Sequence, residues 1–311
     1  MKEFISLFLG SVTLAATVRM ATPILFTALG GCFSQKAGTF CIAFECFMLS
    51  AAFFAAYGSY LTGSPYVGTL FAIATGVLLA GFYGLFVYTF HANAVIVSIA
   101  FNFGAWAGTT LLLTKLFGVR GYFFSPKIKG FSSISVPLLS LIPYLRDIFN
   151  RQSLLVYLAY LFIPLCFILL YKTPFGLRVR GVGTAANAAR TVGVDVLHYK
   201  WMSLMIMGVL SGMGGAYITL SGMNIFSENM TAGRGFLAFA AILVGEANPI
   251  KVAPVCLLFA YTDALNLKLT ESGFPVQILK MLPYAVVILV MLISKWKEFD
   301  GIPRLQEEIE L

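Results

Sequence analysis

The sequence predicts an all-α fold: a polytopic transmembrane helix bundle of about eight or nine spans in a single domain covering residues 1–311. Three observations lead there. Of 311 residues, 59% are hydrophobic and only 11% are charged, with a mean hydropathy of +0.89. A soluble domain carries about 25% charged residues, so this much apolar surface has no soluble core to enter. Apolar runs recur at roughly the 20-residue length that a hydrocarbon core asks of one helix. Backbone groups in lipid must be satisfied within their own segment, so the runs are helices rather than open strands.

The runs fall near 4–30, 38–61, 67–89, 93–115, 152–171, 199–221, 250–267 and 276–294. The first, from Phe4 to Gly30, exceeds the roughly 7–15 residues of a signal-peptide apolar region and reads as a retained span. A shorter run, 235–245, is either a ninth span or a re-entrant segment, and nine spans is the preferred count. The longest polar stretch, 116–151, reads as an external loop with Pro126, Gly130 and Pro137 and a short surface helix over 138–147. Lys and Arg divide almost evenly between the two sides of a nine-span arrangement, so the positive-inside rule does not orient the chain. The net charge of +8 is scattered, with no long basic run interleaved with aromatics, and gives no reason to expect nucleic acid. Cys32, Cys41, Cys46, Cys166 and Cys256 form no C-x-x-C pair and read as small buried hydrophobes. His91 and His198 are too few for a histidine metal site.

One polar stretch interrupts the oil, between the runs ending at 171 and beginning at 199. Thr184 suits an N-cap, Ala185 to Val192 holds good helix formers including Ala189 and Arg190, and Gly193 suits a position just past a helix end. This predicts a two-turn helix outside the bilayer. On pattern alone it is either an interfacial connector or a docking helix for a soluble partner.

Charges inside apolar runs are expensive and therefore functional candidates. Glu45 is either ion-paired for structure, with Arg19 as a candidate partner, or lines a polar path. Asp263 reads as solvated near the interface. Asn93 lies near one end of the fourth run. Ser98 and Asn102 share a helix face; they either hydrogen-bond across helices or, with nearby Trp106, line a path for a polar solute. Gly104-x-x-x-Gly108 and Gly208-x-x-x-Gly212 read as packing motifs. Gly233-Arg234-Gly235-Phe236-Leu237-Ala238 mimics a dinucleotide fingerprint but lacks the required strand–turn–helix context. No phosphate-binding G-x-x-x-x-G-K-[ST] motif occurs, so any ATP is bound by another chain.

In order and spacing, several stretches together resemble a known family: Ala21-Thr22-Pro23 with Ala28 to Gly31, Gly38 to Glu45, Asn93 and Asn102, and Gly176-Leu177-Arg178-x-Arg180-x-x-Gly183. Further matches are Gly193, Gly208 to Ala216, Met230 to Phe236, Gly245 to Pro249, Asp263-Ala264-Leu265 and Met281 to Tyr284. The chain resembles the permease subunits of bacterial ATP-binding-cassette importers for branched-chain amino acids, ribose-type sugars and nucleosides. It looks most like the shorter permease of nucleoside and simple-sugar systems. The resemblance implies that the 184–193 helix couples to an ATPase, through Gly176, Arg178, Arg180, Gly183, Thr184, Ala189, Arg190 and Gly193. It implies a solute path near Glu45, Ser98, Asn102 and Trp106, and a place in the bacterial inner membrane with 172–200 in the cytoplasm. The implied partners are an ATPase carrying the ATP and magnesium, a second permease and an extracytoplasmic solute-binding protein; no cofactor is expected on this chain. The family usually has an acidic residue, Asn and Pro where this chain has Thr184, Ala185 and Ala186. It tends to place Asn and two glycines where Cys41, Ala43 and Cys46 stand. A secondary transporter or channel is the alternative, disfavoured by the few embedded ionisable groups; no constellation for an embedded enzyme is present.

Overall fold

The computed structural model describes residues 10–134, 152–271, 281, 282, 285–290 and 292. The helices are α1 (Ser11–Lys36), α2 (Phe44–Thr62), α3 (Pro65–Gly84), α4 (Ala94–Phe117) and α5 (Leu154–Tyr171). They continue as α6 (Pro174–Thr184), α7 (Ala186–Thr191), α8 (Val196–Ile218), α9 (Arg234–Val244) and α10 (Pro249–Glu271). π-helical turns extend α3 over Leu85–Thr89 and α8 over Thr219–Met223. Strand β1 (Tyr122–Phe124) pairs antiparallel with β4 (Ile225–Ser227), and β2 (Ser133–Ile134) with β3 (Gln152–Ser153).

Among the described residues, seven helices are long and apolar enough to cross a membrane: α1 to α5, α8 and α10. The chain is a multi-pass, all-α membrane protein. Local chemistry sets several helix ends. The Asn93 carboxamide oxygen accepts from the Val95 and Ile96 amides at the start of α4, and Asp195 does the same for Leu197 and His198 at the start of α8. Gly63 and Gly118, at φ 65° and 68°, close α2 and α4.

Helices α1, α2 and α8 form the centre. In their most apolar windows 72%, 78% and 78% of residues are buried, against 22–28% in α3, α4 and α5, whose outward Leu and Phe side chains are suited to lipid. Glycines bring the centre together. A Cβ on Gly208 would stand 2.5 Å from the Gly76 carbonyl oxygen, and one on Gly215 2.4 Å from that of Met48. The Gly208-x-x-x-Gly212 motif is therefore the contact surface of α8 with α3. Gly104 and Gly108 of α4, expected to pack likewise, face open space among the described residues.

Three expectations change. The second apolar run begins as irregular chain, and its helix starts only at Phe44. Run 235–245 is α9, whose 11 residues span roughly 16 Å, about half the ~30 Å hydrocarbon core. The polar stretch holds two helices, not one. Thr173 caps Gly176, and Pro174 opens α6 at the first helical position, so the helix starts ten residues early. Thr184 then ends α6, its hydroxyl donating to the Arg180 carbonyl, and the chain breaks at Ala185 (φ −149°, ψ 81°) before the short α7. The surface helix expected over 138–147 lies outside the described residues. So does most of 276–294, of which 285–290 are helical, with Val286 and Val287 packed on the core.

The two ends of the bundle are distinct. At one, the elbow end, Gly183 of α6 sits against the last turn of α1, and α6, α1 and the C-terminus of α9 wall a cavity of ≈ 500 Å³. At the other, the ribbon end, Phe226 of β4 packs on Phe53, and Phe123 of β1 stacks on Phe117.

Gly208→Val forces α3 and α8 apart and is expected to cost roughly 1–3 kcal/mol, read as a lowered melting temperature of the purified chain in detergent. Gly104→Ala, facing open space, is expected to leave it unchanged or raise it slightly.

Candidate functional site: a central cavity beside two interrupted helices

Two stretches lack regular structure deep inside the bundle, where every backbone group needs a protein partner. The first is 37–43, entered through Gly38 at φ 74°. The Thr39 hydroxyl meets that of Tyr88 at 2.6 Å. The Tyr83 hydroxyl lies 2.9 Å from the Phe40 carbonyl oxygen and 3.0 Å from Ser98 Oγ. Ser98 Oγ accepts from the Ile42 amide at 3.1 Å. Asn102 completes the set: its Oδ1 accepts from the Cys46 amide at 2.9 Å, and its Nδ2 donates to the Ile42 carbonyl at 3.2 Å. Ser98 and Asn102 thus serve α4 as a ladder for the unwound chain.

The second stretch is 228–233, leading from β4 into α9. Here Glu45 is decisive. Thr231 Oγ1 donates to its Oε1 at 2.5 Å, the Gly233 amide to Oε1 at 2.9 Å, and the Gly235 amide to Oε2 at 2.8 Å. The carboxylate is 8% exposed and caps the N-terminus of α9, the positive end of its dipole. Gly233 takes φ 83°, and a Cβ on Gly235 would lie 2.4 Å from the Glu45 amide nitrogen. Arg19 is exposed and makes no ion pair with Glu45, because backbone amides already occupy that carboxylate.

Beside this junction lies a cavity of ≈ 990 Å³. Ile99, Asn102, Phe103 and Trp106 of α4 wall one side; Asn229, Arg234, Asp263 and Asn266 contribute polar groups on the other. Of the expected path residues, Glu45, Asn102 and Trp106 reach its wall. Ser98 does not: it is fully buried against Tyr83 and the Ile42 amide. Asp263, expected to be solvated at an interface, faces the cavity instead, its Oδ2 3.9 Å from Arg234 Nε, with their side chains 20% and 23% exposed. Sequence reasoning passed over Thr231, Gly233, Arg234 and Gly235. The signal was present in two glycines flanking an arginine, a mark of close backbone approach.

At the elbow end, the glycines are steric. A Cβ on Gly176 would stand 2.2 Å from the Leu170 carbonyl oxygen, and one on Gly183 2.0 Å from that of Lys36. Arg178 donates to the Tyr199 hydroxyl at 2.7 Å, and the Arg180 guanidinium lies 4.7 Å over the Tyr171 ring. Ala189 packs with Val182 and Val196, Arg190 is exposed, and Gly193 takes the expected positive φ of 81°. Cys41, Ala43 and Cys46 are buried, at 1%, 0% and 2% exposure, and none is on the wall of the large cavity.

Residues 13–291 match the family described as branched-chain amino acid transport system / permease component. The chain belongs to this permease family. The permease is 32% identical over 295 residues to the guanosine ABC transporter permease protein NupQ of Bacillus subtilis, covering 90% of this chain and 91% of that one. It is 32% identical over 282 residues to the nucleoside ABC transporter permease protein NupC of Lactococcus lactis, covering 87% and 88%. It is 30% identical over 259 residues to a putative glucose ABC transporter permease protein, TsgC13, of Haloferax volcanii, covering 82% and 77%. No solved structure matches the permease.

Glu45→Ala strips three donors of their acceptor, at roughly 1–3 kcal/mol for each one left buried and unsatisfied. The expected result is a large loss of folded permease from detergent extracts. Glu45→Gln keeps a carbonyl oxygen for one side of the junction and is expected to lose less, a ranking that thermal unfolding by fluorescence-detected chromatography checks.

Proposed function

We propose that this permease is the membrane subunit of an ATP-driven importer that moves a nucleoside or simple sugar through the central cavity. The names of its relatives, which cite guanosine, nucleosides and glucose, support the solute class. ATP and magnesium belong to a partner ATPase; this chain binds no cofactor and performs no chemistry. A second permease and an extracytoplasmic solute-binding protein complete the assembly, in a bacterial inner membrane.

In this reading the chain crosses nine times. The second crossing is 37–43 plus α2, and the seventh is 228–233 plus α9, each an irregular segment that leads into a helix. Interrupted helices of this kind border the solute sites of many transporters. The elbow end faces the cytoplasm, with α6 and α7 seated in the ATPase; Leu177 and Val192, 63% and 77% exposed, offer it apolar contacts beside Arg178 and Arg190.

One observation carries the mechanism. Gly183 of α6 touches Lys36 and Gly38, where the irregular segment 37–43 begins. That segment runs directly to Glu45, which holds the N-terminus of α9 and, with it, Arg234 on the cavity wall. Displacing the elbow pushes on 37–43, and the Glu45 junction carries the motion to the cavity. Rigid elements joined by packed and hydrogen-bonded contacts are what such coupling requires.

Purification of the tagged chain in mild detergent is expected to recover an ATPase and a second permease in fixed ratio. Recovery of the chain alone, active in ion-driven uptake after reconstitution, overturns the reading. In the reconstituted importer, Gly183→Leu wedges α6 away from Lys36; uptake is expected to fall at least about tenfold while ATP hydrolysis persists, the signature of lost coupling. Asn187→Cys is expected to react with an impermeant thiol reagent from the cytoplasmic side only.

A further inference from the structure

Two acidic side chains reach the cavity wall, and they are in opposite states. Glu45 accepts three hydrogen bonds, from the Thr231 hydroxyl and the Gly233 and Gly235 amides, and both its oxygens are engaged at the start of α9. Asp263 accepts none among the described residues; its nearest cation, Arg234 Nε, stands 3.9 Å away, beyond hydrogen-bonding distance. An ion pair that serves only to hold two helices together closes to about 2.7–2.9 Å, often through two parallel bonds. This one stays open on the cavity. Arg234 spends one donor on the Met230 carbonyl, at 3.3 Å, and keeps others for the space in front of it.

We infer that Asp263 and Arg234 are the solute-reading pair of this permease, and that they recognise adjacent hydroxyl groups on a neutral sugar ring. This rests on the importer reading above. A carboxylate has two oxygens that accept from two neighbouring hydroxyls at once, and hydrogen bonds to a charged acceptor are about twice as strong as neutral ones. The guanidinium beside it donates to a hydroxyl or ring oxygen of the same sugar. The pair is neutral overall, so it selects by hydroxyl pattern and not by solute charge. The opposite wall supplies Phe103 and Trp106, flat apolar surfaces on which a base or the apolar face of a sugar ring rests. Adjacent hydroxyls are the chemistry that ribonucleosides and hexoses share. Glu45, whose oxygens are filled, is a positioning residue that holds Arg234 in register.

The test uses the complete importer in proteoliposomes, with the binding protein preloaded and saturating. Guanosine is compared with 2′,3′-dideoxyguanosine, and glucose with its 2,3-dideoxy derivative; the two comparisons separate the two sources of hydroxyls. The readout is the ratio of uptake rates within each pair, which does not depend on how much variant folds. Because the binding protein is the same throughout, any change in ratio belongs to this chain. The wild type is expected to prefer the hydroxylated member of at least one pair by about tenfold or more. Asp263→Asn is expected to bring that ratio to within about twofold of one by slowing the hydroxylated member. Arg234→Lys, which keeps the charge and loses the fork, is expected to give an intermediate ratio, and Glu45→Gln to slow both members equally. A wild-type ratio retained by an active Asp263→Asn importer overturns the assignment and leaves the importer reading intact. A wild-type importer that moves no member of a panel of nucleosides and simple sugars that includes guanosine and glucose overturns both.

Discussion

The carboxylate of Glu45 is the interaction on which the interior depends. Two segments of this bundle abandon helical hydrogen bonding at membrane depth, and lipid offers no water to replace it. One carboxylate serves the stretch that leads into α9, while side chains of α3 and α4 serve 37–43. The carboxylate sits at the first turn of α2, where the irregular 37–43 segment becomes helical, and it receives the amides that open α9. The charge is tolerated because it faces three donors and the positive end of a helix dipole, not because a basic side chain neutralises it. An embedded acid is usually sought an ionic partner; here the backbone is the partner.

The rest of the polar interior follows the same economy. Tyr83, Tyr88, Ser98 and Asn102 stand in a row beside 37–43 and supply the bonds that an unbroken helix would have made for itself. Their polarity is consumed by the protein. What remains unconsumed is at the cavity: Arg234 and Asp263, held apart on α9 and α10, with Asn229 and Asn266 beside them. Distinguishing polar groups by whether they are hydrogen-bonded within the protein separates scaffold from cavity-facing groups more sharply than depth in the membrane does.

Glycine sets the distances in this arrangement. Gly183 lets α6 lie on the end of α1, and Gly235 lets α9 lie on Glu45. Between them runs the irregular segment 37–43. It is pinned at one end by the Gly183 contact and along its length by side chains of α3 and α4. The irregular stretch thus lies between the contact of α6 with α1 and the Glu45 junction beside the cavity.

The sequence by itself determined the class. Composition and the ~20-residue spacing of apolar runs dictated a membrane-spanning helical bundle, because hydrocarbon permits little else, and Gly208-x-x-x-Gly212 announced a close helix contact that α3 and α8 make. Gly193 announced a positive φ that the chain adopts. The order of many short motifs carried the family. Glu45, Asn102 and Trp106, each a polar or amphipathic side chain in an apolar run, do line the central cavity. Only the tertiary structure decided what these polar groups do. Hydropathy averages over a window and cannot register that residues 37–43 lack regular structure, since Ile42 and Ala43 are as apolar in a loop as in a helix. Whether Glu45 meets Arg19 or the amides of Gly233 and Gly235, some 190 residues away in sequence, is fixed by how α2 and α9 cross. The same crossing leaves Asp263 open and Glu45 filled. Single-residue chemistry is the same for both acids; the donors that reach them are set by backbone positions that no local pattern encodes.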